Sequence, residues 1–310
     1  MKKLILLLNM GGPSKPEEIE IFLKNMFNDP CILGIKNKIL RKFVAMMITK
    51  GRLKTAQQNY AKIGGKSPIC ELTQALCDKI SSRQDEYAVD FTMNYTPPFT
   101  KDVLAKYQNF DEVIVLPLYP HHSVTTVVSS LNDLEKACKK LNFKGEIRVL
   151  KPFYDEQSYN ELIIKSIKNK ISGVDISDMS LIFSAHSLPQ KIIDSGDIYE
   201  VHVKEHVKIL SKMLNDEGLK FKEIKLAYQS RLGPVKWLEP PLNEALKACE
   251  SKKALIYPIS FCIDNSETIF ELVIEYKRVA DELGFSFYDV VECPNFSDEF
   301  VNFILRYAVE

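Results

Sequence analysis

Short apolar runs and longer amphipathic stretches take turns along this chain. The runs fall at 4–8, 88–95, 112–118 and 147–150, and again at 181–184, 224–228, 254–259 and 287–291. They read as strands. Between them, 68–82, 131–141, 199–214 and 267–283 space their apolar residues at helical intervals. Strand alternating with helix predicts βαβ units, hence an α/β fold whose parallel sheets carry helices on both faces. Four strands precede residue 155 and four follow 175, which predicts two similar halves, 1–155 and 156–310. No internal repeat supports a duplication. In open parallel sheets, sites lie beyond the carboxyl ends of the strands. The segments to inspect are therefore 9–12, 95–97, 119–123, 185–187, 229–231 and 260–267, which are rich in hydroxyls, histidine and aromatics.

Composition narrows this picture. The chain has 310 residues and 41 Lys+Arg against 41 Asp+Glu, so its zero net charge argues against a whole-protein nucleic-acid binder. The apolar start, 4–8, is shorter than the core of a secretory signal, and no small-residue cleavage site follows it. Seven scattered cysteines without a Cys-x-x-Cys pair argue against a disulfide framework or a cysteine-rich metal site. A cytoplasmic protein with reduced thiols is the expectation. Charge is uneven in one place: 30–70 holds nine Lys or Arg and no Asp or Glu. Its first part mixes Lys36, Lys38, Arg41 and Lys42 with apolar residues, as in an amphipathic basic surface that meets an anionic ligand or a membrane. A solvated helix with its apolar side in the core has the same composition.

Candidate chemistry is concentrated in the second half. His186, in Phe183-Ser-Ala-His-Ser-Leu-Pro189, directly follows a predicted strand, where it can act as a base or a metal ligand. His202 and His206 have a metal-pair spacing, but they lack the Glu of His-Glu-x-x-His and sit among charges, so they read as a solvated helix face. Asp264, Glu267 and Glu271 share a helix face, and Glu275 extends the row. Such a row relays protons or guides a cation; alternatively, Asp264 and Glu267 form a capping box. Gly11-Gly12-Pro13 is neither a dinucleotide fingerprint nor a P-loop, and Ser14 with Glu17 reads as a capping box opening the next helix. Trp237, the one tryptophan, lies near a Pro-rich turn with packing as its default role.

Several motifs in order resemble the ferrochelatase family over nearly the whole chain. They are Leu8-Asn-Met-Gly-Gly-Pro13, Tyr60-x-x-Ile-Gly-Gly-x-Ser-Pro-Ile69, Phe183-Ser-Ala-His-Ser-Leu-Pro189, Gln229-Ser-x-x-Gly-Pro-x-x-Trp-Leu238 and Asp264-x-x-Glu-Thr-x-x-Glu-Leu272. The resemblance implies two flavodoxin-like (Rossmann-like) halves, each a four-stranded parallel sheet, with a porphyrin held in the cleft between them. It assigns His186 and Glu267 to the metal- and proton-handling pair, and Asp264 and Glu271 to an acidic path leading away. Met10, Tyr60, Tyr95, Ser123 and Trp237 match pocket walls, and Arg52, Ser67 and Ser230 match groups that receive the propionates. The basic segment at about 30–55 matches a pocket lip that also rests on the membrane, giving a peripheral contact at the inner face of the cell membrane.

The implied substrates are ferrous iron and a porphyrin, with no permanently bound cofactor. The chain lacks the Cys-rich tail that holds a [2Fe–2S] cluster in animal members, so no cluster is expected. The Asn-Met-Gly-Gly-Pro start favours protoporphyrin IX, with coproporphyrin III or another tetrapyrrole as the alternative and a porphyrin carrier as the non-enzymatic one. A corrin chelatase would be expected to carry two metal-binding histidines in separate motifs. Two departures stand out. His121-His122 occupies positions where relatives have Gln and an aromatic, so His122 is expected in the pocket. Asn94 stands where relatives often have a basic residue, which removes one expected propionate contact, and Lys54-Thr55 shifts a basic position by one, which leaves Arg52 the better-supported rim contact.

Overall fold

The computed structural model describes residues 1–231 and 233–309. Its strands are β1 (Lys3–Asn9), β2 (Tyr87–Met93), β3 (Glu112–Pro117), β4 (Glu146–Val149), β5 (Ser180–His186), β6 (Glu223–Gln229), β7 (Lys253–Tyr257) and β8 (Phe287–Val290). Each falls on one of the apolar runs. They form two four-stranded sheets, ordered β2-β1-β3-β4 and β6-β5-β7-β8, and every pairing is parallel.

The chain divides into two compact units. The first comprises Met1–Tyr119, Ser123–Pro152 and the segment from Asn295 onward; the second comprises Pro120–His122 and Phe153–Pro294. In the first unit Leu4, Leu6 and Leu8 pack against Val103, Leu104, Leu134 and Ala137. Burying each such aliphatic side chain contributes about 1.5–3 kcal/mol, which is why the unbroken apolar run 4–8 makes β1 a central strand. The helix Asp298–Val309 belongs to this unit. It is tied down by Lys79 and Arg83 on Asp298, and by Arg148 on the Ala308 carbonyl.

The turn after β1 is set by close approach. A Cβ on Gly12 would lie 2.7 Å from Ser67 Cβ and 2.8 Å from its Oγ, and Gly11 has a φ of +87°. Ser67 N–H donates to the Pro13 carbonyl at 2.7 Å, which locks the two segments together. The expected Ser14–Glu17 capping box does not form. Helix Glu18–Phe27 begins three residues later, with Glu17 rather than Ser14 at its N-cap, and it is Glu18 Oε2 that accepts the Ser14 N–H, at 2.9 Å.

Helix Lys38–Ala61 has 24 residues, about 36 Å long. Asn37 caps it, its Oδ1 accepting from Ile39 and Leu40 N–H. Its end is anchored by Tyr60, packed with Ile19, Leu23, Phe27 and Ala45. Its beginning turns apolar residues outward: Ile39 is 82% exposed, and Leu40, Phe43, Met46 and Met47 are exposed as well.

In the second unit Ile182, Ala227, Leu242, Leu246, Ile256 and Leu272 build one core around the sheet. Helix Tyr199–Asp216 buries Tyr199, Val203, His206, Leu210 and Leu214, a stripe at steps of three and four. His206 is on that stripe and fully buried, so the reading of His202 and His206 as a solvated face is overturned. The segment Glu267–Glu275 is a π-helix, continued by the α-helix Tyr276–Glu282. Its hydrogen bonds reach one residue further than in the α-helix that the acidic spacing predicts; such turns concentrate at functional sites. All seven cysteines are free thiols.

Candidate active site

In the second sheet the chain crosses from β6 over β5 to β7, so the carboxyl ends of β5 and β7 flank a topological switch point. β5 ends on His186, in register with Gln229 at the end of β6. The carboxylate facing that histidine comes from the first turn of the π-helix. His186 Nδ1 lies 2.7 Å from Glu267 Oε2, with the side chains 36% and 25% exposed. Removal from water opposes charge on both, yet the pairing outweighs it. The imidazole is raised above its ordinary value by the Glu267 carboxylate, and Glu267 is held below the usual carboxylate range by His186 and the Ser230 hydroxyl.

Ser230 extends the pair. It adopts a left-handed backbone (φ +65°) just past β6, which turns its N–H and hydroxyl toward the acids. The N–H donates to Glu271 Oε1 at 2.8 Å, and Oγ contacts Glu267 Oε2 at 2.7 Å as well as Glu271 Oε2. A serine hydroxyl has one proton, so it cannot donate to two carboxylates at once. Satisfying both contacts requires a proton on an acid. Burial, reinforced by the negative charge of Glu267, pushes Glu271 up to about 7, which makes it the acid that holds one. Beneath them, Ser184 Oγ donates to Gln229 Oε1 at 2.6 Å, and the Gln229 amide donates to the Glu267 carbonyl at 3.3 Å. The result is a continuous line from His186 through Glu267 and Ser230 to Glu271.

Asp264 stands apart from that line. It is buried and accepts from Cys293 N–H at 3.3 Å, so it does not cap the helix. Asn265 does, its Oδ1 accepting the Glu267 N–H at 2.8 Å. Trp237 is held beside the His186 loop by a β-bridge to Pro189 and by Leu238 N–H donating to the Leu188 carbonyl. Its indole Nε1 is buried without a partner among the described residues.

The other histidines cluster. His121 and His206 are 2% and 0% exposed, joined Nε2 to Nδ1 at 2.9 Å, and His206 Nε2 continues to Asn160 Oδ1 at 2.8 Å. Burial pulls both well below the ordinary imidazole value, His206 to about 3, so they are neutral at pH 7. His122 is half-buried, and its backbone N–H donates to His202 Nδ1 at 3.2 Å. The ring of His202 stacks on Tyr154.

In the first unit the segments past the strands are built from neutral donors. Tyr95 is buried, and its hydroxyl donates to Asp29 Oδ2 at 2.8 Å and contacts Ser129. Burial and the Asp29 charge push this phenol well above its ordinary value. Met10 lies alongside, its carbonyl accepting the Tyr95 N–H. Ser123 is buried and caps the π-turn Val124–Val128 by accepting the Thr125 N–H. Ser67 is buried too, its Oγ accepting from Ile69 N–H at 3.4 Å. Arg52 is half-buried, which lowers its value, and it has no carboxylate partner among the described residues.

The motifs contain Gln229, but its bracing role and those of Ser184 and Asn265 are missed by sequence reasoning. A polar residue inside an otherwise apolar strand, as at Ser184, is the signal that would have found one of them.

Two four-stranded parallel sheets flanked by helices give the chain the two-domain α/β fold of solved chelatases. The solved structure titled "SirB from Bacillus subtilis with Fe3+" is similar at a TM-score of 0.59 over 100% of this chain and 95% of that one, though only 12% identical. Sequence goes further: a ferrochelatase family profile matches residues 2–310. The ferrochelatase of Campylobacter concisus is 70% identical over 99% of this chain and 97% of its own. That of Campylobacter fetus subsp. fetus is 55% identical over 98% of each. The chain belongs to the ferrochelatase family, and is thus a metal chelatase (a lyase) of haem biosynthesis whose substrates are ferrous iron and a porphyrin.

Proposed function

We propose that this enzyme inserts ferrous iron into protoporphyrin IX to give protohaem, with His186 and Glu267 handling metal and protons at the macrocycle centre. One observation carries the reading. His186 spends Nδ1 on Glu267 at 2.7 Å, and Nε2 has no partner among the described residues. With Nδ1–H directed at the carboxylate, Nε2 presents a lone pair, the arrangement in which a carboxylate–histidine pair accepts a proton or offers a nitrogen to a metal. Insertion releases two pyrrole protons for each iron taken up. Ser230 and Glu271 supply an exit, since a carboxyl poised near neutrality accepts and releases protons at low cost. Because the N–H and hydroxyl of Ser230 are engaged with the acids, Arg52 is the better-supported contact for a propionate. Trp237, with its spare N–H, and Met10, Tyr60, Tyr95, His122 and Ser123 are the proposed porphyrin contacts. Asp264, which lies outside the line from His186 to Glu271, is proposed for the acidic path on the family resemblance alone, and no resident cofactor or [2Fe–2S] cluster is proposed.

The test is anaerobic incubation with ferrous iron and either protoporphyrin IX or coproporphyrin III, following loss of porphyrin fluorescence. Wild type should turn over protoporphyrin faster, and His186→Ala should bind porphyrin without inserting metal. Faster turnover of coproporphyrin III would reverse the substrate choice, and full activity in His186→Ala would remove the mechanism.

A cytoplasmic enzyme resting on the inner face of the cell membrane is also proposed. No helix among the described residues is long and apolar enough to cross a membrane. However, Ile39, Leu40, Phe43, Met46 and Met47 are exposed on a helix that also carries Lys38 and Lys42. Such a helix binds anionic bilayers peripherally. Salt-sensitive co-sedimentation with phosphatidylglycerol vesicles is expected, and no binding at low salt would discard the contact.

A further inference from the structure

The backbone of His186 is enclosed by two hydroxyls that the metal-insertion reading leaves unused. β5 and β7 pair up to Phe183 and Tyr257, and one more rung follows, Ile259 N–H donating to the Ser184 carbonyl at 3.0 Å. In a parallel ladder the next donor facing that side is the N–H of His186. Its acceptor is not a strand carbonyl: His186 N–H donates to Ser260 Oγ at 3.3 Å. On the same residue, the Tyr199 hydroxyl donates to the His186 carbonyl at 2.9 Å and lies 2.7 Å from Ser260 Oγ.

Proton counting fixes the direction of each bond. The single proton of Tyr199 goes to the carbonyl, so the single proton of Ser260 must go to Tyr199 Oη, while an oxygen lone pair of Ser260 receives the His186 N–H. The bonds run N–H to Oγ–H to Oη–H to O=C, a closed circuit that begins and ends on one residue. Two side chains from separate elements thereby replace the strand that has ended.

Tyr199 is itself rigid. Asp197 Oδ1 accepts its N–H at 2.9 Å at the start of helix Tyr199–Asp216, and its ring is 6% exposed. The buried His121 ring meets it edge-on at 90°, with centroids 5.8 Å apart. Behind His121 stand His206 and Asn160, and the Asn160 amide donates to the Tyr154 carbonyl at 3.0 Å. That bond orients the amide so that Oδ1 accepts from His206, whose Nδ1 then accepts from His121. Each member of the chain is held in one orientation.

We propose that Tyr199 and Ser260 are positioning residues for His186, fixing its backbone so that Nε2 points at the reacting centre while Glu267 holds only the other ring nitrogen. This rests on His186 acting in metal insertion. A peptide at a strand end without such partners is free to rotate, and small misplacements of a reacting group cost as much as ~100-fold.

The test uses the full-length protein with Tyr199→Phe, Ser260→Ala and the conservative Ser260→Thr. Three readouts are taken: kcat and KM for protoporphyrin IX under anaerobic conditions, melting temperature, and the 15N shifts of the His186 ring in substrate-free protein. Tyr199→Phe and Ser260→Ala should lower kcat about tenfold to 100-fold, the scale found for groups that orient a ligand histidine, with KM changed less than about twofold. Ser260→Thr, which keeps the hydroxyl, should restore kcat to within about threefold of wild type. The ring shifts should move in both damaging variants. Ser260→Ala is the smaller lesion and serves alone should Tyr199→Phe fold poorly. Unchanged kcat in Ser260→Ala would overturn the proposal. So would a loss shared equally by Ser260→Thr with the ring shifts at their wild-type positions, because that pattern marks general damage. The shifts also separate the two readings. If His186→Ala keeps its turnover, the role of the imidazole in insertion fails, whereas the clamp is decided by whether Ser260→Ala displaces the ring signals.

Discussion

The two sheets of this enzyme are nearly the same object. Both have the strand order second, first, third, fourth, and their first two strands are each seven residues long. The chemistry past their strand ends is different. Beyond β1 and β2 lie two glycines, a buried phenol and serine hydroxyls, with two carboxylates that act as acceptors: Asp29, from Tyr95, Ser129 and the Cys31 N–H, and Glu18, from the Ser14 N–H. Beyond β5 and β6 lie groups that exchange protons and touch in sequence: His186, Glu267, the Ser230 hydroxyl that links the acids, and Glu271, pushed up to about 7. The first set is held by hydrogen bonds among its own members. The second holds more acceptors than protons, and so must share them. One scaffold thus carries mostly neutral groups past the strands of one unit and, in the other, the linked imidazole and acids proposed to handle protons, in keeping with the rule that function resides in the segments grafted onto the strand ends.

That contrast can be broken by experiment. The largest effect is expected for Glu267→Gln, which should slow iron insertion by about 100-fold or more, the usual scale for removing a proton-handling group. Tyr95→Phe should leave kcat within about fivefold, since the phenol is held too basic to exchange protons at pH 7. Equal losses would show that the chemistry is shared by both units. Next is Gly12→Ala, whose Cβ would press on Ser67 and cost roughly 1–3 kcal/mol in urea unfolding. An unchanged urea midpoint would mean that the close approach is not a constraint.

Glu271 offers a test through pH. Its folded value of about 7 stands above the carboxyl's unfolded value near 4.3, so the folded state binds the proton more tightly. The stabilisation from that proton is complete below the unfolded value and is lost as the pH rises toward 7. Glu271→Gln should therefore gain on wild type by roughly 1–3 kcal/mol between pH 4.5 and 7.5. Parallel stability curves for the two proteins would refute the shared proton. The smallest effect is on stability in Tyr95→Phe, about 1 kcal/mol for one lost hydrogen bond to Asp29, read from the urea midpoint.

Much of this was legible in the sequence, for identifiable reasons. All eight strands fall on apolar runs, most clearly the central β1, β3, β5 and β7, because parallel strands buried on both faces must be apolar throughout. His186 and Glu267 were visible through their motifs. Where local pattern misled, a long-range partner won. Asp264 has the spacing of a cap, but it faces Cys293, and the neighbouring Asn265 takes its place. His202 and His206 are flanked by charges, yet His206 continues the buried stripe of Val203, Leu210 and Leu214, and its polar ring is satisfied by His121 and Asn160. The π-turn at Glu267 escaped because acids three and four apart fit an α-helix just as well.

By itself, then, the sequence determined the fold class, the strand order's raw material and the family, since apolar periodicity and contiguous motifs are local properties of the chain. Only the tertiary structure decided which ring nitrogen meets Glu267, which carboxyl keeps its proton and which hydroxyls hold the His186 peptide. Those depend on distances of about 3 Å between residues 13 to 81 positions apart, as with Tyr199 and His186, Ser230 and Glu271, or His186 and Glu267. No periodicity records such distances, because hydrogen bonds and charge coupling act through space rather than along the chain.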